Sequence, residues 1–148
     1  MRRLRAGLSG DEGSTLPLVI FFGMLGLVVV LVVTAATSLY LEKKRLLALA
    51  DGAALVGAEA FELSDVAVTP AGPRPVLQSA MVDAAVDEYL DGPSAERFDA
   101  LHVDAAFTPD GRSATVTLSS RWRPPVVTLF MPDGIRVEAT ATARSVFG

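Results

Sequence analysis

A run of 26 residues without a charged side chain or a histidine, Leu16 to Leu41, constrains this chain more than any other feature. At about 1.5 Å per residue, a helix of that length measures about 39 Å, which exceeds the hydrocarbon core of a bilayer at about 30 Å. The run therefore predicts a transmembrane helix over residues 14–41.

The charged residues lie outside this run and are divided unevenly. A stub at residues 1–13 begins with Arg2, Arg3 and Arg5, whereas residues 42–148 hold 10 Lys and Arg against 15 Asp and Glu. An acidic body lacks the basic face that nucleic-acid binding requires. The absence of cysteine from the sequence excludes disulfides, thiolate nucleophiles and cysteine-ligated zinc.

Three interpretations of residues 1–41 compete: a cleaved secretory signal, a retained membrane anchor, and a pilin-like helix that starts in the membrane and continues beyond it. A signal sequence has an apolar region of about 7 to 15 residues. The run here is longer, although Val33-Thr34-Ala35 would serve as a cleavage site. Its length favours a segment that the mature protein keeps.

The helical pattern continues past Leu41 and predicts one helix that extends to about residue 63. Ser14 or Thr15 would cap its start, and Ser64-Asp65 would end it. One face of the continuation carries apolar residues at helical spacing: Leu47, Ala50, Ala54, Gly57, Ala58 and Phe61. Because most of these side chains are small, we expect close packing of a sheet or a partner on Ala50, Ala54, Gly57 and Ala58.

The orientation in the membrane depends on flanks that carry nearly equal positive charge. Three arginines lie before the run, and Lys43, Lys44 and Arg45 follow it. Long carboxy-terminal domains are translocated largely regardless of their charge. We therefore expect a single-pass protein of the cytoplasmic membrane, with residues 1–13 in the cytoplasm and residues 42–148 outside.

Beyond the long helix, the pattern changes to shorter elements. Val66 to Thr69 has the composition of a short strand, and the proline-rich segment from Pro70 to Pro75 predicts a loop. Val76 to Leu90 predicts a second helix, which Gly92-Pro93 would terminate. Its polar face carries Asp83, Asp87 and Asp91.

Alternation by twos predicts three strands in the remaining chain: Leu101 to Phe107, Ser113 to Trp122 and Ile135 to Ser145. Two Pro-Asp-Gly turns, at Asp110 and Asp133, precede the second and third strands. Together, the predicted helices and strands indicate an α+β fold. In it, a small antiparallel sheet packs on the amphipathic half of the long helix, with the second helix beside it.

The side chains offer little for catalysis. His102 is the sole histidine and alternates with Asp104 on the polar side of its predicted strand, so a two-histidine metal site within one chain is excluded. No phosphate-binding G-x-x-x-x-G-K-[ST] and no G-x-S-x-G motif occurs in the sequence. We expect no enzyme activity, no catalytic residue, no cofactor, no metal and no small-molecule substrate. The alternative is an anchored or secreted binding domain whose acidic face, Asp83, Asp87 and Asp91, captures a ligand or cation.

Two segments carry a resemblance to a known family: Asp11-Glu12-Gly13-Ser14-Thr15-Leu16-Pro17-Leu18, and Leu46 to Ala58 with its Ala50-Asp51-Gly52-Ala53-Ala54-Leu55 element. They resemble the amino-terminal region of TadE- and TadG-like proteins of tight-adherence (Flp) pilus systems, and the closing strand from Ile135 with Arg144 is also similar. The resemblance implies a pseudopilin-like protein that assembles or primes a pilus for adhesion or secretion. Its partners would be membrane lipid and pilins or other pilus assembly proteins.

The resemblance also directs attention to Gly13 and Ser14 as a candidate processing site. Processed prepilins of this kind have a Gly before the cut and a Glu as the fifth residue after it. A cut after Gly13 places Leu18 at that position, and only a cut after Gly7 would place Glu12 there, ahead of the apolar run. The sequence therefore departs from the pattern of an ordinary filament subunit.

Overall fold

The computed structural model describes residues 15–61, 66–69, 72–124, 128 and 131–144. The elements are helix α1 (Leu16–Glu59), strands β1 (Val66–Thr69) and β2 (Gly72–Pro75), helix α2 (Ser79–Leu90), and strands β3 (His102–Phe107), β4 (Ser113–Trp122) and β5 (Ile135–Arg144). The predicted α+β class is confirmed. The predicted stub at 1–13, the candidate processing site Gly13 and Ser14, and the helix end at Ser64-Asp65 lie outside the described residues.

Helix α1 runs for 44 residues and continues through the charged segment that follows Leu41, as predicted. It ends at Glu59, before the predicted end near residue 63. There the Ala60 amide donates to the Gly57 carbonyl at 3.3 Å and the Phe61 amide donates to the Glu59 carbonyl at 2.9 Å. These bonds span three and two residues instead of four, so the backbone tightens out of the α-helix although the apolar spacing continues.

The chain divides into two compact units between Thr34 and Ala35. In the first unit, the apolar side chains of α1 are exposed from Leu16 onward. In the second unit, Ala35 and Leu39 pack against the buried core. The predicted membrane segment, residues 14–41, thus includes seven residues that belong to the folded unit.

Strands β3, β4 and β5 form an antiparallel sheet with β4 in the centre. β4 spans the ten residues predicted for it. Its pairing with β5 extends from Ser113 opposite Arg144 to Trp122 opposite Ile135. Gly111 and Gly134 both have a φ near +70°, which is the left-handed conformation that the two Pro-Asp-Gly turns require.

The prediction of a loop from Pro70 to Pro75 is wrong for its last four residues. Residues 72–75 form β2, which pairs antiparallel with β1, with Thr69 opposite Gly72 and Val66 opposite Pro75. Proline holds φ near −65°, which is compatible with an extended strand, and its missing amide is tolerated where the strand lies at an edge. Proline content alone therefore could not distinguish a loop from one strand of a hairpin.

Helix α2 begins at Ser79, three residues after the predicted start at Val76. Just before the helix, the Leu77 amide donates to the carbonyl of Gly111 at 2.9 Å. Gly111 lies in the turn between β3 and β4. Gln78 has an extended backbone, with φ −112° and ψ 138°, so the helix begins only after it.

The core lies between the inner face of the sheet and the two helices, as predicted. Its buried side chains are Leu46, Leu49, Ala50, Ala53, Ala54 and Ala58 of α1, Leu77, Val82 and Val86 from the second helical segment, and Ala114, Val116, Leu118, Trp122, Val137, Ala139 and Ala141 of the sheet. Alternate residues of β4 and β5 face inward, as strand geometry demands.

Strand β3 contains an irregularity that breaks its expected alternation. Val103 pairs with Leu118 and Ala105 pairs with Thr117, so Asp104 is an extra residue without a partner in the register. Such a bulge shifts the following residues by one position. As a result, Ala106 packs on the core whereas Phe107, expected to point inward, is exposed.

Candidate functional site

The four small residues predicted for close packing, Ala50, Ala54, Gly57 and Ala58, are all buried within the folded unit. A Cβ atom built on Gly57 would lie 3.0 Å from Cγ1 of Val82 and 3.3 Å from Cβ of Ala114. The helix, the second helix and β4 therefore approach each other as closely as backbone and small side chains permit. This face is occupied by the protein's own core and is closed to a partner.

Two contacts establish how α1 lies along the sheet. Gly57 is adjacent to Ala114, near the start of β4, and the indole N–H of Trp122, at the end of β4, donates to Ser38 Oγ at 3.2 Å. Nineteen helical residues rise about 28 Å, and the eight strand residues between Ala114 and Trp122 span about 26 Å. The helix therefore runs antiparallel to β4 along nearly the whole strand.

The opposite side of α1 in the folded unit is exposed and forms a continuous stripe. We call it the exposed stripe: Tyr40, Lys44, Ala48, Asp51, Leu55 and Glu59, at spacings of three and four residues. Tyr40 is 60% exposed and Leu55 is 51% exposed. Lys44 Nζ lies 5.7 Å from the centre of the Tyr40 ring, a cation–π contact. The arrangement can hold the face of another helix.

The sequence analysis did not predict this stripe, because its two large apolar residues are separated by charged and small ones. The signal was nevertheless present, since Tyr40 and Leu55 are large apolar residues at helical spacing from polar ones. The groove beside the stripe was missed as well. It has a volume of about 440 Å³ and is bounded by Arg45 and Leu49 of α1 and by Tyr89, Arg97 and Phe98 across from them.

The outer face of the sheet carries two pairs of threonine hydroxyls. The hydroxyls of Thr115 and Thr142 lie 3.0 Å apart, as do those of Thr117 and Thr140. Cross-strand threonine pairs of this kind stabilise the sheet.

His102 lies on this outer face with a side chain that is 72% exposed, and its Nε2 is 3.9 Å from Asp104 Oδ1. The Ser119 hydroxyl hydrogen-bonds to the Asp104 carboxylate, which is the main reason that the Asp104 pKa lies below its ordinary value, and Arg136 lowers it further. A serine nucleophile needs a hydrogen bond to the imidazole of its base. The bond made by Ser119 therefore holds a carboxylate in place and does not activate a nucleophile.

The three acidic residues predicted to bind a ligand lie on α2 and directly after it. Asp83, Asp87 and Asp91 are all exposed. Among the described residues, no group of three or more histidine, cysteine, aspartate or glutamate side chains is placed to hold a metal ion. Nothing in the geometry therefore supports a ligand- or cation-binding role for the acidic face.

No curated protein matches this chain, and no solved structure matches it. One family model matches residues 13–60, and its description reads "Putative Flp pilus-assembly TadE/G-like". The matched region contains the whole of α1, from Leu16 to Glu59, and so includes both the buried small residues and the exposed stripe. Over this long helix, the protein is similar to the TadE/G-like family of Flp pilus assembly, as its sequence motifs predicted.

Proposed function

We propose that this protein is a membrane-anchored, non-enzymatic, pseudopilin-like component of Flp/Tad pilus assembly. One observation carries the proposal: the region similar to the TadE/G-like family coincides with a single helix that leads from an uncharged apolar run into a folded unit. Such a helix supplies an anchor at one end and a rigid support for the folded unit at the other.

The anchor is proposed to be the exposed first part of α1. This helix has a mean hydropathy of 3.0 over its most apolar eighteen residues and fits a single-pass anchor by length and composition. The nineteen residues Leu16–Thr34 rise about 28 Å, close to the thickness of the hydrocarbon core. The folded unit that begins at Ala35 then lies outside the cytoplasmic membrane, and residues 1–13 lie in the cytoplasm.

The mechanism is contact. Within the folded unit, the buried small residues fix the second part of α1 to the sheet. The exposed stripe remains for a helix of a pilin or of another pilus assembly protein. Its apolar residues Tyr40 and Leu55 supply contact area, and Lys44 and Asp51 supply charges that select the partner's register.

Complementation of a deletion strain tests this proposal. Leu55→Asp, on the exposed stripe, is compared with Val76→Asp, which changes the same kind of side chain at a position that is 46% exposed and off the stripe. We expect Leu55→Asp to abolish or strongly reduce piliation and Val76→Asp to retain it, at equal protein levels by immunoblot. Normal piliation of the deletion strain itself would overturn the proposed function, and full complementation by Leu55→Asp and Tyr40→Asp would overturn the role of the stripe.

A further inference from the structure

The groove beside the exposed stripe contains two arginines that form no ion pair within the described part of the chain. We call it the arginine groove: Arg45 and Leu49 of α1, with Tyr89, Ser94, Arg97 and Phe98 across from them. Glu42 also lines the groove but pairs with neither arginine. An arginine with unused donors can bind a carboxylate through two parallel hydrogen bonds. The groove therefore fits an acidic partner.

The same folded unit carries an acidic surface, which we call the aspartate face: Asp83, Asp87 and Asp91. All three side chains are exposed, and among the described residues none of them pairs with a cation. Because successive members are four residues apart, they lie on one side of α2. These carboxylates form no metal site, but each of them can meet a guanidinium group.

The two surfaces lie on opposite sides of α2 and at nearly the same height along α1. A Cβ atom built on Gly52 would collide with the Tyr89 hydroxyl, so the Tyr89 ring points at α1 and closes one end of the groove. Asp87 and Asp91 are each two residues from Tyr89, a turn of about 200° around the helix and a rise of only about 3 Å. The aspartates therefore point away from α1 at the level of the groove.

From this arrangement we infer that neighbouring copies of the protein associate through their folded units. The aspartate face of one copy docks on the arginine groove of the next. The inference deepens the proposed function and rests on its membrane anchor, because copies anchored by the same helix insert in the same orientation and are confined at high local concentration. Since both surfaces have the same height along α1, copies with parallel α1 helices can meet without a shift along that axis.

The consequence is a heterologous contact, in which each copy contributes a different surface to each of its two neighbours. Such a contact repeats from copy to copy and produces a closed ring or an open row. It uses neither Tyr40 nor Leu55. The large apolar residues of the exposed stripe therefore remain available to a different partner.

An exchange of charges between the two surfaces tests the inference. The groove variant carries Arg45→Glu and Arg97→Glu, and the face variant carries Asp87→Arg and Asp91→Arg. All four side chains are exposed, so the changes lie outside the core. Because the chain has no cysteine, Pro109→Cys in the turn between β3 and β4 takes donor and acceptor dyes. Energy transfer is measured between full-length copies in phospholipid vesicles.

We expect the wild type to show more transfer than random encounter gives at the same lipid dilution, and added salt should reduce it. Each variant alone should fall to the random level, because like charges then face each other. An equal mixture of the two variants should return to the wild-type level, because the glutamates of one groove meet the arginines of the other face. Glu138→Arg, which reverses a charge on the outer face of the sheet, should retain wild-type transfer.

Random-level transfer in the wild type, or full transfer in either variant alone, would overturn the inference. A mixture that stays at the random level, with both variants folded by circular dichroism, would also overturn it, because the two surfaces then do not meet. Flotation of the vesicles separates this result from the proposed function. A wild-type protein that floats with the lipid but shows random-level transfer overturns the inference alone, whereas a protein that does not float overturns membrane anchoring and the inference together.

Discussion

At Gly57 of α1, Val82 of α2 and Ala114 of β4 lie close enough to leave little room for a larger side chain. Because a Cβ there already meets Val82 at 3.0 Å and Ala114 at 3.3 Å, Gly57→Leu must displace both neighbours. We expect it to lower the free energy of unfolding by about 1 to 3 kcal/mol, the usual cost of overpacking. Urea unfolding of the detergent-solubilised protein, followed by circular dichroism, measures this loss.

Two controls make the Gly57 prediction specific. Ala48→Leu adds the same side chain on the exposed side of α1 and should leave the unfolding midpoint unchanged. His102→Ala removes an exposed side chain and should also preserve both stability and piliation. If Gly57→Leu unfolds like the wild type while a stable His102→Ala protein fails to support piliation, then the helix–sheet contact is not the critical feature and His102 has a functional role.

Ser120 is a polar residue that is buried in the apolar core. Its Oγ is buried and has no hydrogen-bond partner among the described residues. Since an unsatisfied buried hydroxyl is destabilising, Ser120→Ala should raise the free energy of unfolding by about 1 kcal/mol. Ser113→Ala is the matched control, because the Ser113 hydroxyl donates to Asp110 at 2.7 Å and its loss should lower stability. A destabilised Ser120→Ala protein would mean that the hydroxyl has a partner.

At the scale of elements, the turn between β3 and β4 makes the fold sensitive to acid. The Asp110 carboxylate accepts hydrogen bonds from the Ser113 hydroxyl and from the amides of Ser113 and Arg112, and these lower its pKa from 3.8 to about 2. A carboxyl group with a lower pKa in the folded state stabilises the fold when it is ionised. This stability is complete above about pH 4 and is lost as the pH falls toward 2.

Asp110→Asn tests this linkage, because the amide oxygen can still accept a bond while the charge is gone. We expect the unfolding free energy of the variant to fall less than that of the wild type between pH 4 and pH 2. Some acid dependence should remain, since the pKa of Asp104 is also lowered. In Ser113→Ala, a carbon-detected NMR titration should show the Asp110 pKa moving back toward its ordinary value. Parallel pH profiles for Asp110→Asn and the wild type would contradict the prediction.

The elements also show where periodicity stops being informative. β4 was predicted to the residue because its alternation is uninterrupted from Ser113 to Trp122. β3 also alternates in its sequence, yet its bulge at Asp104 turns Phe107 outward. An inserted residue is not visible in a single strand, because it is defined only against the partner strand.

For the whole molecule, the central prediction is that the mature protein keeps its apolar segment. Cleavage after Ala35 would cut α1 at a residue that packs against the folded core. We therefore expect the intact mass of membrane-extracted protein to include residues 16–35. A mass that begins at Ala36 would show signal cleavage, and a mass that begins at Leu8 or Ser14 would show prepilin-type processing with the anchor retained.

The sequence by itself determined those properties that depend on neighbours along the chain. The uncharged run, the helical spacing that continues beyond Leu41, and the alternation in β4 each follow from local periodicity, and so did the small-residue face and the similarity to TadE/G-like proteins. Only the tertiary structure decided what depends on pairing across the chain. It decided that the sheet covers the small-residue face, that Ala35 and Leu39 belong to the folded unit, and that residues 72–75 form a strand. The physical reason is that burial, strand register and bulges are relations between distant segments, and local patterns do not specify which segment will be the partner.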